Sequence, residues 1–238
     1  MAEGKKQVVH GADKQQEVAD FLQKVALTPR PASTGVRGRL LFAMDATASR
    51  EASWDMACQI QGDMFAETAT LGGLDVQLAF YRGFGEFRAS PWVSSSAELI
   101  PFMSRVRCRG GHTQIERVLR YAARETERSR ISALVFVGDC LEEDIDSVCN
   151  AAGELGLKGV PCFMFHEGFD ARAAAGFKQI AKLSNGAYCT FDAGSARQLR
   201  EMLSAVAVFA AGGHRALSDF SRGKGGPVLQ IAHQLGRG

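Results

Sequence analysis

Five consecutive apolar residues, Leu40–Met44, constrain the fold of this chain more than any other feature, and they run directly into Asp45. Two hydroxyl residues, Thr47 and Ser49, follow at every second position before a segment with helical spacing begins. A continuous apolar run bounded by polar residues is typical of a central parallel strand that is covered on both faces. Open α/β sheets bind ligands where such strands end, so the carboxylate and the two hydroxyls are predicted to lie at a binding edge.

The oxygen donors of this stretch indicate which kind of ion suits it. One carboxylate and two hydroxyls are hard ligands without sulfur or imidazole, and they favour Mg²⁺ or Mn²⁺ over zinc or copper. Asp, Thr and Ser are also preferred at the start of a helix, where their side chains accept backbone N–H groups. This stretch alone therefore leaves two interpretations open, a metal-binding strand end and a simple helix cap.

The remainder of the chain alternates between strand-like and helix-like segments. This alternation predicts a doubly wound, mostly parallel α/β sheet with helices on both faces. Arg82–Gly85 has the composition of a hairpin turn, which adds one antiparallel edge strand and brings the sheet to six strands. The strands are predicted at 40–44, 75–81, 86–90, 131–137, 159–166 and 186–191, and the helices at 51–71, 94–106, 115–122, 145–155, 171–183 and 196–211.

Composition excludes several classes of protein. The chain has 238 residues, 46% of them hydrophobic and 23% charged, which is ordinary for a globular chain with a sizeable core. The formal net charge is only +2 and no basic stripe with interleaved aromatics is present, so no nucleic-acid partner is predicted. No apolar run approaches the roughly 18 residues that span a bilayer, so no membrane partner is predicted. The six cysteines form no CxxC pair and no hydrophobic leader is seen, which predicts a reduced, cytoplasmic location.

Three segments of different character divide the chain. Residues 1–36 are predicted to hold an amphipathic helix at 14–27 and a linker rich in proline and small polar residues. The α/β domain is predicted at 37–211. Residues 212–238 are predicted to be a C-terminal tail with several glycine breaks and one short helix at 227–235.

Two further polar residues are predicted to share the edge where the first strand ends. Thr113 follows a Gly110-Gly111 pair, and Asp139 follows the apolar run 131–137 as Asp45 follows its own strand. If these two strands are neighbours at a topological switch point, Asp45, Thr113 and Asp139 face one crevice. Thr113 as the N-cap of the next helix is the alternative.

Two other polar groups at predicted strand ends receive a simpler interpretation. The acidic run 142–144 is predicted to open a helix, where carboxylates match the positive end of the macrodipole. His166 ends a strand and is predicted to be a solvated strand end rather than a residue that lines the site.

At these residues the sequence resembles the von Willebrand factor A domain family, in its intracellular bacterial form, over residues 37–211. That family carries a metal-ion-dependent adhesion site written Asp-x-Ser-x-Ser, Thr and Asp. The sequence departs from the pattern in two ways, because a threonine replaces the first serine and His112 separates the glycine pair from the site threonine. The matching positions are Asp45, Thr47, Ser49, Thr113 and Asp139.

The resemblance implies a binding module rather than an enzyme. In such a module Mg²⁺ (or Mn²⁺) keeps an open coordination position, which a carboxylate from a partner protein completes. Mg²⁺ suits this role because it retains exchangeable waters. By analogy alone, the partner is expected to be an AAA+ ATPase or a component of a stress-response complex.

Two other functional classes stay open. Asp45 after a hydrophobic strand also fits the nucleophile of a haloacid-dehalogenase-type phosphohydrolase, but those enzymes carry Asp-x-Asp-x-Thr and the second acid here is Thr47. The Gly-rich loops of P-loop enzymes and of dinucleotide-binding folds are absent. The third class is a metal-free scaffold that binds through the sheet edge or the tails.

Overall fold

A computed structural model describes residues 16, 19–25, 27, 37–191 and 196–223, with side chains to residue 221. Two single-turn 3₁₀ helices, Ala48–Arg50 and Ala69–Leu71, flank the first long helix of the domain. The strands are β1 (Gly38–Asp45), β2 (Leu74–Arg82), β3 (Glu86–Ala89), β4 (Ala133–Gly138), β5 (Cys162–Glu167) and β6 (Ala187–Phe191). The helices are α1 (residues 16, 19–25 and 27), α2 (Glu51–Thr68), α3 (Ser96–Met103), α4 (Ile115–Arg128), α5 (Ile145–Leu157), α6 (Ala171–Leu183) and α7 (Ala196–Gly223).

One six-stranded sheet forms the centre of the molecule, with the strand order β3-β2-β1-β4-β5-β6. Every neighbouring pair is parallel except β2 and β3, which form the antiparallel edge hairpin. Since β1 pairs with β2 on one side and β4 on the other, the topological switch point lies between β1 and β4. The predicted fold class is confirmed, including the adjacency of the first and fourth strands.

The apolar run of β1 is buried on both faces of the sheet. Leu40, Phe42 and Met44 point into a core cluster with α1, α2, α3 and α7. Leu41 and Ala43 point into a second cluster with α4, α5 and α6 on the other face. Successive strand residues alternate between faces, so a strand between two helical layers needs an apolar residue at every position.

Helix α1 packs on the domain through its apolar residues. Phe21 and Val25 are buried in the first core cluster. The Phe21 ring meets the rings of Phe163 and Phe165 edge-on, with centroids 6.2 and 5.2 Å apart. The described residues therefore bear out the helical spacing that the sequence predicts at 14–27, while the linker at 28–36 lies outside them.

A second helical segment follows the predicted last helix. The glycine pair 212–213 predicts an end near 211, and Gly213 is non-helical, with φ of 70° and ψ of −160°, so α7 consists of two helical segments on either side of it. Leu217, beyond Gly213, is buried in the first core cluster. The residues after Gly213 are thus helical to 223, where the sequence predicts a tail, and the predicted helix at 227–235 lies outside the described residues. No helix in the described part of the chain is long and apolar enough to cross a membrane.

Candidate metal centre at the carboxyl edge of the sheet

The adjacent ends of β1 and β4 bring four of the five predicted site residues into one group. Ser49 Oγ donates a hydrogen bond of 2.7 Å to Asp139 Oδ2 across 90 positions of sequence. Thr47 Oγ1 and Ser49 Oγ lie 3.4 Å apart, and the Thr47 N–H donates to Asp45 Oδ1 at 2.7 Å. The switch-point prediction therefore places these residues correctly relative to one another.

The helix-cap interpretation of the first stretch is wrong. Thr47 and Arg50 occupy the N-cap positions of the 3₁₀ turn and of α2, and neither side chain makes a capping hydrogen bond. The hydroxyls of Thr47 and Ser49 lie beside each other and beside Asp139 instead. Their side chains are thus available to a ligand at the strand end.

Asp45 is buried with only one of its carboxylate oxygens hydrogen-bonded. Its Oδ2 and the Tyr81 hydroxyl both have no hydrogen-bond partner among the described residues. Burial raises the pKa of Tyr81, and the nearby Asp45 carboxylate raises it further. Burial raises the pKa of Asp45 to about 6; the Thr47 N–H and hydroxyl oppose this rise and Asp139 adds to it. A buried carboxylate oxygen without a partner is costly, and a cation would satisfy it.

Thr113 is connected to this group through Glu142. Its N–H donates to Glu142 Oε2 and its Oγ1 accepts from the Glu142 N–H, both at 3.0 Å. No hydrogen bond joins Thr113 to Asp45 or Asp139 in the part of the chain described. Glu142 belongs to the loop that starts at Asp139, so Thr113 is tied to the site through that loop.

The N-cap interpretation of Thr113 is also wrong. Gln114 is the N-cap residue of α4 and makes no side-chain capping bond. The Glu143 carboxylate satisfies the helix start instead, accepting from the N–H groups of Ile115 at 2.6 Å and Glu116 at 2.9 Å. The acidic run 142–144 therefore serves helix starts in part as predicted, since Asp144 also caps α5 through the Ser147 N–H.

The segment before Thr113 lies between the end of β1 and the β2–β3 hairpin, and contacts with both position it. The Arg109 N–H donates to the carbonyl of Ala46 at 3.0 Å, directly after Asp45. A Cβ at Gly111 would lie 2.1 Å from the carbonyl oxygen of Gly83, while one at Gly110 would meet nothing within 4 Å. Neither glycine has a positive φ. Gly111 is therefore required for close approach to the hairpin rather than for a tight turn.

A buried arginine beside the site is the main feature that sequence reasoning missed. Arg50 is 1% exposed, and its Nη1 donates to the Glu167 carboxylate, which also accepts from the Ser53 hydroxyl. Burial lowers the pKa of Arg50, and the nearby carboxylates of Asp139 and Asp45 raise it. Glu167 is the last residue of β5 and lies at the same sheet edge. A carboxylate at that strand end was the sequence signal that could have indicated a partner for Arg50.

His166 is buried rather than solvated, so that prediction is wrong. The side chain is fully buried, and Nδ1 lies 3.0 Å from the Tyr188 hydroxyl. Burial lowers the pKa of His166, while Asp139 and Asp170 oppose that shift. The imidazole of His166 is thus part of the core behind the edge.

The candidate donors are rich in hydroxyls and poor in carboxylates. Within the described ranges, no cluster of three or more His, Cys, Asp and Glu side chains suited to a metal ion is present. The candidate set holds two carboxylates and three hydroxyls, all of them hard oxygen donors of the kind that Mg²⁺ accepts alongside water. The unpartnered Asp45 Oδ2 fits this type of ion.

Solved structures identify the fold. No family model matches the sequence, and no curated protein matches it. The vWF domain of the type V pili tip protein Mfa5 from Porphyromonas gingivalis is 12% identical, with a TM-score of 0.57 over 73% of this chain and 95% of that chain. The SpRpn10 VWA domain is 14% identical, with a TM-score of 0.53 over 71% and 93%.

A third similar structure is proximal thread matrix protein 1 from the mussel byssus, whose MIDAS motif holds zinc. It is 15% identical, with a TM-score of 0.52 over 72% of this chain and 46% of that chain. Other matches are to longer proteins, since the chain spans 62% of a minor pilin and 31% of a pilus adhesin. The chain therefore has the von Willebrand factor A fold, and the resemblance seen in the sequence is confirmed at that level.

Proposed function

We propose that this protein is an Mg²⁺-dependent protein-binding module that recruits its partner through an acidic side chain. The observation that carries the proposal is the buried, unpartnered Asp45 Oδ2 next to the hydrogen-bonded pair of Ser49 and Asp139. Two carboxylates gathered around hydroxyl groups repel each other unless a cation lies between them. Mg²⁺ or Mn²⁺ suits the donors, and one mussel protein of this fold holds zinc at its MIDAS motif.

Each residue of the proposed site has a distinct role. Asp45 and Asp139 supply the negative charge that attracts the ion. Thr47, Ser49 and Thr113 supply neutral oxygens, and the contact between Thr113 and the Asp139 loop favours a contribution through that loop rather than a direct one. The ion, when bound, offers an exchangeable position to a hard oxygen.

The proposed partner is a protein that presents a carboxylate. An AAA+ ATPase or a component of a stress-response complex is the class that the family analogy favours. None of the six cysteines, all of which lie in the described residues, forms a disulfide, which supports a reducing compartment such as the cytoplasm. Binding is favoured over phosphoryl transfer because Thr47 stands where the second acid of a phosphohydrolase would be.

Arg50 favours a second candidate, a module that works without metal. Its guanidinium lies close enough to Asp45 and Asp139 to interact with both charges. A permanently charged guanidinium at this place would compensate part of the negative charge of Asp45 and Asp139, which a bound metal ion would otherwise compensate. The two candidates differ in one measurable property, the affinity of the protein for Mg²⁺.

Calorimetric titration of Mg²⁺ into chelator-treated protein separates the two candidates. Wild type is expected to bind one Mg²⁺, and Asp45→Asn, which keeps the side-chain shape, is expected to bind none. Glu154→Gln is the matched control, because it removes an exposed carboxylate at the far end of α5. A wild-type protein that binds no divalent ion would exclude the metal-dependent module in favour of the metal-free one.

A further inference from the structure

Two phenylalanines lie almost fully exposed on loops at the carboxyl edge of the sheet. Phe84, at the tip of the β2–β3 hairpin, is 85% exposed, and Phe169, between β5 and α6, is 87% exposed. A single exposed apolar side chain is common on protein surfaces. The informative point is the position of this pair relative to the candidate metal centre.

One row of residues across the sheet defines that position. Tyr81 and Asp45 are register partners on β2 and β1, and Gly138 and His166 are partners on β4 and β5. The two pairs adjoin, because Met44 pairs with Val137 and a Cβ at Gly138 would lie 3.6 Å from that of Asp45. Asp45 is thus one of the two central positions of a four-strand row.

The two phenylalanines follow this row at the same sequence offset. Phe84 is three positions after Tyr81, and Phe169 is three positions after His166. The strands that carry them, β2 and β5, are separated by β1 and β4. Three interstrand steps span about 14 Å, so the two loops bracket the ends of β1 and β4 at about that separation.

The hairpin loop holds Phe84 in a defined place. Gly83 and Gly85 have φ values of 59° and 97°, so this turn depends on glycine on both sides of the ring. The Phe84 ring meets the ring of His112 edge-on at 5.2 Å between centroids. This contact links the hairpin to the segment that ends at Thr113.

The loop after β5 is fixed in a comparable way. Gly168, with φ of 87°, donates its N–H to the carbonyl of Phe191 at 3.1 Å. Asp170 caps α6 by accepting from the Ala173 N–H at 2.6 Å. Phe169 lies between these two anchored residues, so its exposure results from an ordered backbone.

We propose that Phe84, Phe169 and the metal centre between them form one docking surface for an extended segment of a partner protein. The segment carries an acidic residue with an apolar residue two positions before it and another two positions after it. Side chains at alternate positions of an extended chain point the same way, and four residues span about 13 Å, close to the loop separation. The central acid is complementary to a cation at the site, so this inference rests on the proposed function.

Three short synthetic peptides test the proposal directly. The probe is fluorescein-labelled Gly-Leu-Ser-Glu-Ser-Leu-Gly, and the comparison peptides replace the glutamate by glutamine or both leucines by serine. Fluorescence anisotropy with the full chain in millimolar Mg²⁺ is expected to show binding of the first peptide only. The double variant Phe84→Ser/Phe169→Ser is expected to bind it about tenfold or more weakly, since two apolar contacts are lost.

The matched control is Leu157→Ser, which removes an equally exposed apolar side chain. Leu157 is 93% exposed and ends α5, at the opposite edge of the sheet. This variant is expected to bind the peptide as wild type does. Far-ultraviolet circular dichroism and thermal unfolding establish that all variants fold, which is expected because the substituted side chains are exposed.

The possible failures are distinguishable from failure of the proposed function. Equal affinity of wild type and the double variant, or equal affinity for the leucine and serine peptides, overturns the docking surface and leaves metal-dependent binding of the acid intact. Mg²⁺ binding without any peptide binding overturns the docking surface alone. Binding to phosphatidylserine vesicles that the double variant abolishes, with no peptide binding, assigns the phenylalanines to a lipid surface and also overturns it. Absence of Mg²⁺ binding overturns both.

Discussion

Thr113 and Glu142 exchange two hydrogen bonds of 3.0 Å, each residue donating its backbone N–H to a side-chain oxygen of the other. This exchange joins the segment before α4 to the loop that starts at Asp139. The Thr113 hydroxyl is thereby engaged with a backbone group before any ligand arrives. Its contribution to a metal ion is consequently expected to be smaller than that of a carboxylate.

Substitution of Thr113 and of Asp45 should therefore affect Mg²⁺ binding unequally. Thr113→Ala is expected to weaken the affinity by roughly tenfold, the lower end of the effect seen for residues that support a metal ligand. Asp45→Ala is expected to abolish binding, since it removes charge as well as an oxygen donor. Calorimetric titration measures both, and equal losses for the two variants would contradict this order.

The free energy of unfolding should depend on Mg²⁺ in wild type and not in Asp45→Asn. A ligand that binds only the native state adds about 2.7 kcal/mol at a concentration one hundred times its dissociation constant. In chelator, the variant is expected to be at least as stable as wild type, because the buried, half-partnered carboxylate becomes a neutral amide. Urea unfolding in Mg²⁺ and in chelator tests this, and a metal-free variant that is markedly less stable would make Asp45 a structural residue.

Arg50 should be essential to the stability of the metal-free protein. Arg50→Met leaves the mostly buried Glu167 carboxylate without its cation, which is expected to cost about 3–5 kcal/mol. The double variant Arg50→Met/Glu167→Met is expected to recover part of that loss, because neither charge then remains buried alone. Urea unfolding of both single variants and the double variant gives the coupling energy, and strictly additive losses would show that the pair does not interact.

The sequence was sufficient to predict the sheet and the positions of most of the candidate site residues within it. An apolar run such as Leu40–Met44 fixes a strand by local pattern, and the switch-point rule then places Asp45 next to Asp139 without knowledge of any contact. The same rule brings Thr47 and Ser49 to that edge. These predictions depend on periodicity and chain order, which single residues do not alter.

The features that were missed depend on contacts between distant residues. Arg50 has the appearance of an exposed residue in a first helical turn, and only Glu167, 117 positions away, explains its burial. His166 is similarly buried through its contact with Tyr188. The glycine pair interrupts α7 at Gly213, as the local pattern predicts, but the helical segment after it is packed on the domain through Leu217, a contact that local pattern does not show.

A pair of adjacent glycines offers the sharpest test of how the Thr113 segment is positioned. Gly111→Ala would place a Cβ 2.1 Å from the Gly83 carbonyl oxygen, so the segment must move away from the hairpin. We expect a loss of about 1–3 kcal/mol in stability and weaker Mg²⁺ binding, since overpacking shifts the backbone that carries Thr113.

Gly110→Ala is the control, because its Cβ meets nothing within 4 Å and its φ is not positive. That control is expected to be neutral or stabilising by up to about 1 kcal/mol. Urea unfolding and calorimetry on both variants decide the matter, and equal behaviour of the two would mean that the approach of the segment to the hairpin does not position Thr113.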